Sequence, residues 1–370
     1  MAGKHTAAPK LSAKAQAWPL FDALVERAPL RDTNPWVAVE GRREPDYTPD
    51  FDTLTQLLAV PLALEAASQS GVPALAIDVW VAYELRRAGL DADAVWPRAS
   101  PPRVVDRDVL KFIRSMPVKE QQPLLERLTK GNGGNGVAAA SANILGKNYL
   151  KQVDVLMTSW QAGPELLIST KRMDSSFGKN AANRVEESYG DAKNLALRHP
   201  LAALGFMFGI RSTAYTEERA QFDWLADLLV KLGREEDAYD ACSLIVPEFD
   251  AAAPVDDAGP DAVILDPDDV ETEEDVRHPD DDVPDGEVAL FDLAEFGTAP
   301  DPAEARRSVA RSDVDRRLVT LPKVTLRHDL VPDELSPARF FAVMMRVLLD
   351  NSTVAHHRRA RELRANPTGS

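Results

Sequence analysis

The chain is expected to be an α/β protein in which a mixed central sheet is flanked by helices and preceded by a mainly helical N-terminal domain. Three observations predict this. Apolar residues recur at i, i+3 and i+4 through "DTLTQLLAVPLALEAASQSG" and "PALAIDVWVAYELRRAGLDADAVWP", the spacing of one helix face. A glycine-rich break, "KGNGGNG" from Lys130 to Gly136, then interrupts the pattern. Beyond it, short apolar runs rich in Val, Ile, Leu and Phe alternate with helical segments.

In order, "VAAASANILGKNYLKQ" reads as a helix and "VDVLMTSW" as a strand ending in a turn. "PELLISTK" is a second strand and Asn180 to Leu197 a second helix. "LGFMFGIRS" is a third strand, "ERAQFDWLADLLVKLG" a helix, and "YDACSLIV" a fourth strand. Near the C-terminus "SPARFFAVMMRVLLDN" reads as an amphipathic helix, with Ser336 as cap and Pro337 at its first position. A basic tail, "HHRRARELR", follows. These readings divide the chain into a helical N-terminal domain (1–130), an α/β core (131–247), an acidic insertion (248–287), and a C-terminal part completing the core (288–370).

Composition narrows the function classes. The 370 residues can bury a sizeable core, and 44% hydrophobic content suits a globular protein. No apolar run is long enough to cross a bilayer, and the first residues lack the apolar centre of a secretory signal. One cysteine, Cys242, excludes an internal disulfide and a cysteine zinc cluster, and a cytoplasmic location is expected. The net charge of −16 is not spread evenly. Glu248 to Glu287 holds 17 acids and one base, which leaves 42 acids and 42 bases elsewhere. The acidity therefore belongs to one Pro- and Asp-rich segment of the kind that stays solvated, and the framework around it is neutral.

Two charged residues stand out on the predicted strands. Asp154 interrupts "QVDVLM", where a carboxylate needs a partner because an unpaired buried charge is costly. Lys171 closes the next strand seventeen residues later, sharing a face with Glu165, Leu167 and Ser169. Paired strands bring Asp154 and Lys171 to one point at the end of the sheet. A carboxylate there can hold a divalent cation against a phosphate, and the ammonium can orient a water.

This arrangement resembles the PD-(D/E)xK nuclease superfamily, which includes most type II restriction endonucleases. The usual pattern is an Asp, a gap, then (Asp/Glu)-x-Lys on the next strand. Here Val153-Asp154 replaces Pro-Asp, and Ser169-Thr170-Lys171 lacks the second carboxylate. A subgroup of restriction endonucleases with Ser/Thr-x-Lys recovers that carboxylate from the following helix, in Arg-x-Glu. Arg184-Val185-Glu186 is similar, with Glu187 as the neighbouring alternative. The resemblance implies a restriction endonuclease-like core, Mg²⁺ held by Asp154 and Glu186, water oriented by Lys171 and support from Ser169. It further implies cleavage of double-stranded DNA by a homodimer or higher oligomer.

The surroundings suit a phosphate partner. Lys147 to Arg211 contains 9 bases and 6 acids. Arg172, Lys179, Arg184, Lys193, Arg198 and Arg211 are candidates for phosphates or guanine edges, and Asn180, Asn183 and Asn194 for adenine. Plainer roles are expected of several others. Asp78 reads as a helix-face or capping residue, Glu165 as a hairpin edge and His199 as a helix C-terminal cap. Lys147 and Lys151 read as a solvated helix face, and Trp160 and Trp224 as core or hairpin packing. Two other function classes fit parts of the chain. One is a nuclease-fold DNA-binding protein that does not cut; the other is a dinucleotide-binding enzyme using "GNGGNG", which lacks the strand that should precede such a loop.

Overall fold

Eight consecutive buried residues, Ala203–Ile210, form the strand around which the protein is arranged. A strand buried on both faces must sit inside a sheet covered by helices on each side, and it does. The computed structural model describes residues 11–130, 138–139, 142–175, 177–250 and 311–369. The "GNGGNG" loop and all but the first residues of the acidic insertion lie outside them.

The helices are α1 (Ala13–Arg27), α2 (Phe51–Ala63), α3 (Val72–Arg87), α4 (Arg107–Ser115), α5 (Val118–Lys130) and α6 (Phe177–Ala196). They continue with α7 (Thr213–Glu217), α8 (Arg219–Leu232), α9 (Arg311–Val319), α10 (Pro337–Asn351) and α11 (Arg358–Ala365). The strands are β1 (Trp36–Val37), β2 (Asp46–Tyr47), β3 (Val95–Trp96), β4 (Val104–Val105), β5 (Ala138–Ala139), β6 (Ala142–Leu145) and β7 (Leu150–Val153). After these come β8 (Val155–Ser159), β9 (Gly163–Met173), β10 (Ala203–Ile210), β11 (Ala241–Ile245), β12 (Pro247–Glu248) and β13 (Thr325–Leu326). No described helix is long and apolar enough to cross a membrane.

Five strands make the central sheet in the order β11-β10-β9-β8-β3. β3 is antiparallel to β8, and β8 to β9. β9, β10 and β11 are parallel, with α6 crossing from β9 to β10 and α8 from β10 to β11. Alternation along the strands sorts side chains onto two cores. Leu166, Ile168, Ala203 and Met207 face Ile77 and Val81 of α3 and Phe340 and Met344 of α10. Leu167, Phe206 and Phe208 face Val185 and Leu195 of α6 and Leu225 and Leu229 of α8. The helices of the first 130 residues thus share a core with the sheet and with the end of the chain. α10 begins as expected: Ser336 Oγ accepts from Arg339 N at 3.3 Å, and Pro337 is at its first position.

Gly205 lets α10 lie close, since a Cβ there would come within 2.7 Å of the Phe340 ring. Deep in the same core, Arg87 donates to both oxygens of Glu84, which also accepts from Tyr47 Oη and Asp50 N. Thr368 is tied to the segment around β1: its N donates to Trp36 O and its O accepts from Ala38 N, each at 2.9 Å.

One expected element is different. The segment read as a helix before Asp154 is a two-stranded antiparallel ribbon, β6 with β7, paired from Ala142↔Val153 to Leu145↔Leu150. Its inner face alternates as a strand requires: Ala142 and Val153 are buried, and Ile144 packs against the α6 side of the core. Its turn is held from α6 rather than by local propensity. Asn194 Oδ1 accepts from Asn148 N at 2.8 Å, and its Nδ2 donates to Tyr149 O at 3.0 Å. Gly146 is required there, because a Cβ would lie 2.1 Å from the Asn194 amide.

Candidate active site

β8 begins where β7 ends, and the bend between them is Asp154. The β8–β9 pairing puts Val155 opposite Ile168, so Asp154 falls beside Ser169 and Thr170. Thr170 N donates to Asp154 Oδ2 at 2.7 Å, fixing the carboxylate at the end of the hairpin. Lys171 follows on β9, with its side chain 21% exposed.

Thr170 turns its own side chain to the opposite face, where its hydroxyl donates to Asp78 Oδ1 in the middle of α3. Asp78 is therefore not a helix-face or capping residue. It is a buried carboxylate that shares Thr170 with Asp154. Burial first, then the charge of Asp154, lifts its pKa well above the carboxylate range, while Thr170, Lys14 and Lys171 pull against them. Lys14 reaches this point from α1, its ammonium lying beside Gly71 at the start of α3.

On the other face, α6 presents Glu187 and not Glu186. Glu186 is exposed to solvent. Glu187 Oε1 lies 3.9 Å from Lys171 Nζ and 3.6 Å from Lys151 Nζ, and its Oε2 lies 3.3 Å from Arg184 Nη1. Burial raises the Glu187 pKa, but Lys171, Lys151 and Arg184 outweigh it and hold it below its ordinary value. The helical phase explains the choice: adjacent residues on a helix point about 100° apart, and Val185 and Ser188 are the buried neighbours that set the inward side. Lys151, expected on a solvated helix face, lies instead on the inner face of the ribbon. It also pairs with Asp191 at 2.9 Å, and Asp191 accepts from Tyr149 Oη at 3.1 Å. Burial and then Asp191 push the Tyr149 hydroxyl up to about 12. Ser169 is buried and hydrogen-bonded to Tyr239, whose hydroxyl donates to Ser188 O at 2.8 Å.

The residues expected to touch DNA divide. Arg172 is withdrawn: its side chain is 1% exposed and pairs with Asp174 at 3.0 Å. Arg211 donates to Phe249 O at 3.1 Å and stacks on the Phe249 ring. Asn194 is buried in holding the ribbon turn, so it cannot read a base. Arg184 serves Glu187, and Lys193 lies 3.3 Å from Asp237. Asn183 and Arg198 are exposed. Lys179 and Asn180 lie in the first turn of α6, but their side chains fall outside those described. Glu165, at the far end of β9, meets His357 Nε2 at 2.8 Å. His199 Nε2 meets Leu145 O at 3.0 Å, bracing the ribbon rather than capping its own helix. Trp160 is neither core nor packing; it is 88% exposed at the hairpin tip, and Trp224 is also exposed.

The donor set is thin for a divalent cation. Among the described residues, no group of three His, Cys, Asp or Glu side chains gathers as a metal centre. Asp154 and Asp78 still fit one: both offer hard oxygens, and their mutual repulsion is what a cation relieves. Such an ion keeps most of its coordination for water and phosphate. Glu187, surrounded by three cationic groups, is a counter-ion in this geometry and not a ligand. A cavity of about 470 Å³ between residues 38–45 and α11 shares no residue with these groups.

Sequence reasoning missed Asp78, Lys151, Asp191 and Lys14. Asp78 carried a usable signal, since "LAIDVWV" sets a lone carboxylate among apolar residues just as "QVDVLM" does. No protein-family model matches the chain, and neither a curated protein nor a solved structure matches it, so the site rests on its own geometry.

Proposed function

We propose that the protein is a Mg²⁺-dependent endodeoxyribonuclease, with a core of the restriction endonuclease kind. The observation that carries this reading is the position of Asp154 at the end of the β8–β9 hairpin, held by the Thr170 amide, with Lys171 the next residue along β9. Support also comes from the order of elements, an antiparallel hairpin followed by a helix that crosses to a parallel strand. The resemblance in sequence points the same way.

Asp154 and Asp78 are the residues that would hold a cation, which would supply charge neutralisation at a phosphate oxygen and acidify water. Asp78, whose pKa is raised, would have to be ionised to do so. The Lys171 ammonium donates to a non-bridging phosphoryl oxygen and orients the attacking water. Glu187 keeps that ammonium in place and charged, and Lys151 and Arg184 keep Glu187 in place. Hydrolysis forms a bond from the water oxygen to phosphorus and breaks the ester bond to the sugar. Cutting both strands takes two such sites, hence two copies.

Incubation of supercoiled plasmid with Mg²⁺ tests this. Nicked and linear products are expected from the native protein. Lys171→Ala is expected to lower the rate on the order of 10²–10⁴-fold with the fold unchanged. Full activity in that variant removes the lysine from the mechanism. Ser169 in the carboxylate position favours a second reading, in which the fold binds DNA without cutting it. Retarded DNA in a gel with no cleavage at any Mg²⁺ concentration would select that reading.

A further inference from the structure

The cavity of about 470 Å³ between residues 38–45 and α11 is lined by four arginines, Arg42, Arg43, Arg361 and Arg364, and by one carboxylate, Glu44. The arginines come from two walls. Residues 39–42 form a turn, closed by Arg42 N donating to Val39 O at 3.1 Å, in which Gly41 takes a φ of 77° that favours glycine. Arg42 ends this turn and Arg43 follows it. Arg361 and Arg364 stand three residues apart on α11 and so share a face of that helix. The rest of the lining is apolar, including Val39, Pro45 and Leu349 from the last turn of α10.

The two walls are pinned to each other. Asn34 Nδ2 donates to Leu363 O and to Asn366 O, each at 2.9 Å, and Thr368 bridges to Val37. A site already formed spends little of its binding energy on ordering. The Arg361 guanidinium is fixed in the same way: Nε donates to His356 O at 3.1 Å, and Nη2 to Leu349 O at 2.6 Å and Ser352 O at 3.0 Å. Its Nη1 makes no hydrogen bond to a described residue, and the exposed Arg43 side chain pairs with none of them. Arg42 pairs with Asp46 at 3.2 Å and Arg364 with Glu44, but both carboxylates are more than half exposed, so these pairs are weak and open to exchange.

We propose that this cavity binds a small organic phosphate of nucleotide size, held between Arg43 and Arg361 with its apolar part against Val39, Pro45 and Leu349. A guanidinium fork takes phosphate oxygens two at a time. Arginines on two walls need an anion with more than one charged edge, which a phosphate has and a lone carboxylate lacks. The volume falls within the roughly 300–1,000 Å³ of small-molecule sites, which are largely apolar with a few polar groups that fix orientation. The cavity is separate from the candidate active site. His357, just before α11, meets Glu165 near the start of β9, whereas Lys171 lies near the end of that strand. The inference therefore does not rest on the nuclease reading.

Titration calorimetry of the intact protein in EDTA, with ADP, pyrophosphate and adenosine as probes, tests this. ADP and pyrophosphate should bind, ADP the tighter, and adenosine should not. Arg43→Ala, at an exposed side chain, should weaken ADP binding about tenfold or more at an unchanged melting temperature. Ala365→Trp, which fills the cavity and leaves every arginine in place, should do the same. Lys171→Ala should bind ADP as the native protein does, and a random-sequence DNA duplex should not displace it. Failure of both phosphate probes to bind the native protein at millimolar concentration overturns the proposal, as does native affinity in either cavity variant. Loss of ADP binding in Lys171→Ala, or its displacement by the duplex, assigns the phosphate to the candidate active site or to nucleic acid and overturns it too.

Discussion

Lys171 and Glu187 are the pair on which the proposed chemistry turns, and a carboxylate serving as counter-ion behaves differently from one serving as ligand. Glu187→Gln should loosen Lys171 and lower cleavage on the order of 10²-fold, the cost of small misplacement at a reacting centre. Glu186→Gln, at an exposed position, should leave the rate within error. Equal rates in both variants would return the role to neither. Asp78 carries a pH dependence. Its pKa is raised in the folded protein, so its contribution to stability is full below the unfolded value and is lost as pH rises through the folded one. A bound cation must displace that proton, so Mg²⁺ affinity should rise with pH. Calorimetry in two buffers of different ionisation enthalpy should show proton release on Mg²⁺ binding, and Asp78→Asn should abolish it. At this scale the sequence disclosed Asp154 and Lys171 because both break a strand pattern. The motif favours Glu186 over Glu187, whereas the phase of α6, set by the buried Val185 and Ser188, turns Glu187 towards Lys171 and leaves Glu186 exposed.

Elements show the same division between local and distant causes. β8, β9, α6, β10, α8 and β11 follow from periodicity, each carrying its own apolar pattern. The β6–β7 ribbon does not. Ala, Leu, Lys and Gln in "VAAASANILGKNYLKQ" are good helix formers, yet Asn194, more than forty residues away, satisfies the turn's backbone and selects the ribbon. Gly146→Ala should therefore dislodge the turn with the sheet intact, measurable as a loss of about 1–3 kcal/mol in urea unfolding at a near-native circular dichroism spectrum. Gly205→Ala acts elsewhere. A methyl meeting the Phe340 ring should cost about 1–3 kcal/mol in urea unfolding, without any effect peculiar to DNA.

For the molecule as a whole, stability and pH are linked through the buried Glu84–Arg87 pair. Burial pushes Glu84 up to about 7, against the pull of Arg87, Asp50 N and Tyr47. A raised folded pKa means stability that is complete below the unfolded value near 4.5 and is lost as pH rises towards 7. The integrated loss is about 3 kcal/mol, and Glu84→Gln should flatten that part of the curve. Architecture at this scale was legible only in outline. A mixed sheet between helices follows from the pattern, but the common core of α3, β9 and α10 joins segments that are far apart in the chain.

Phe340 and Met344 close the face of the sheet opened by residues made much earlier. A ribosome working from the amino end must therefore leave a wide apolar surface exposed until the segment holding Phe340 and Met344 has emerged. Premature termination upstream of Ser336 would yield a sticky fragment destined for chaperones or proteolysis, so no half-built version persists in the cell.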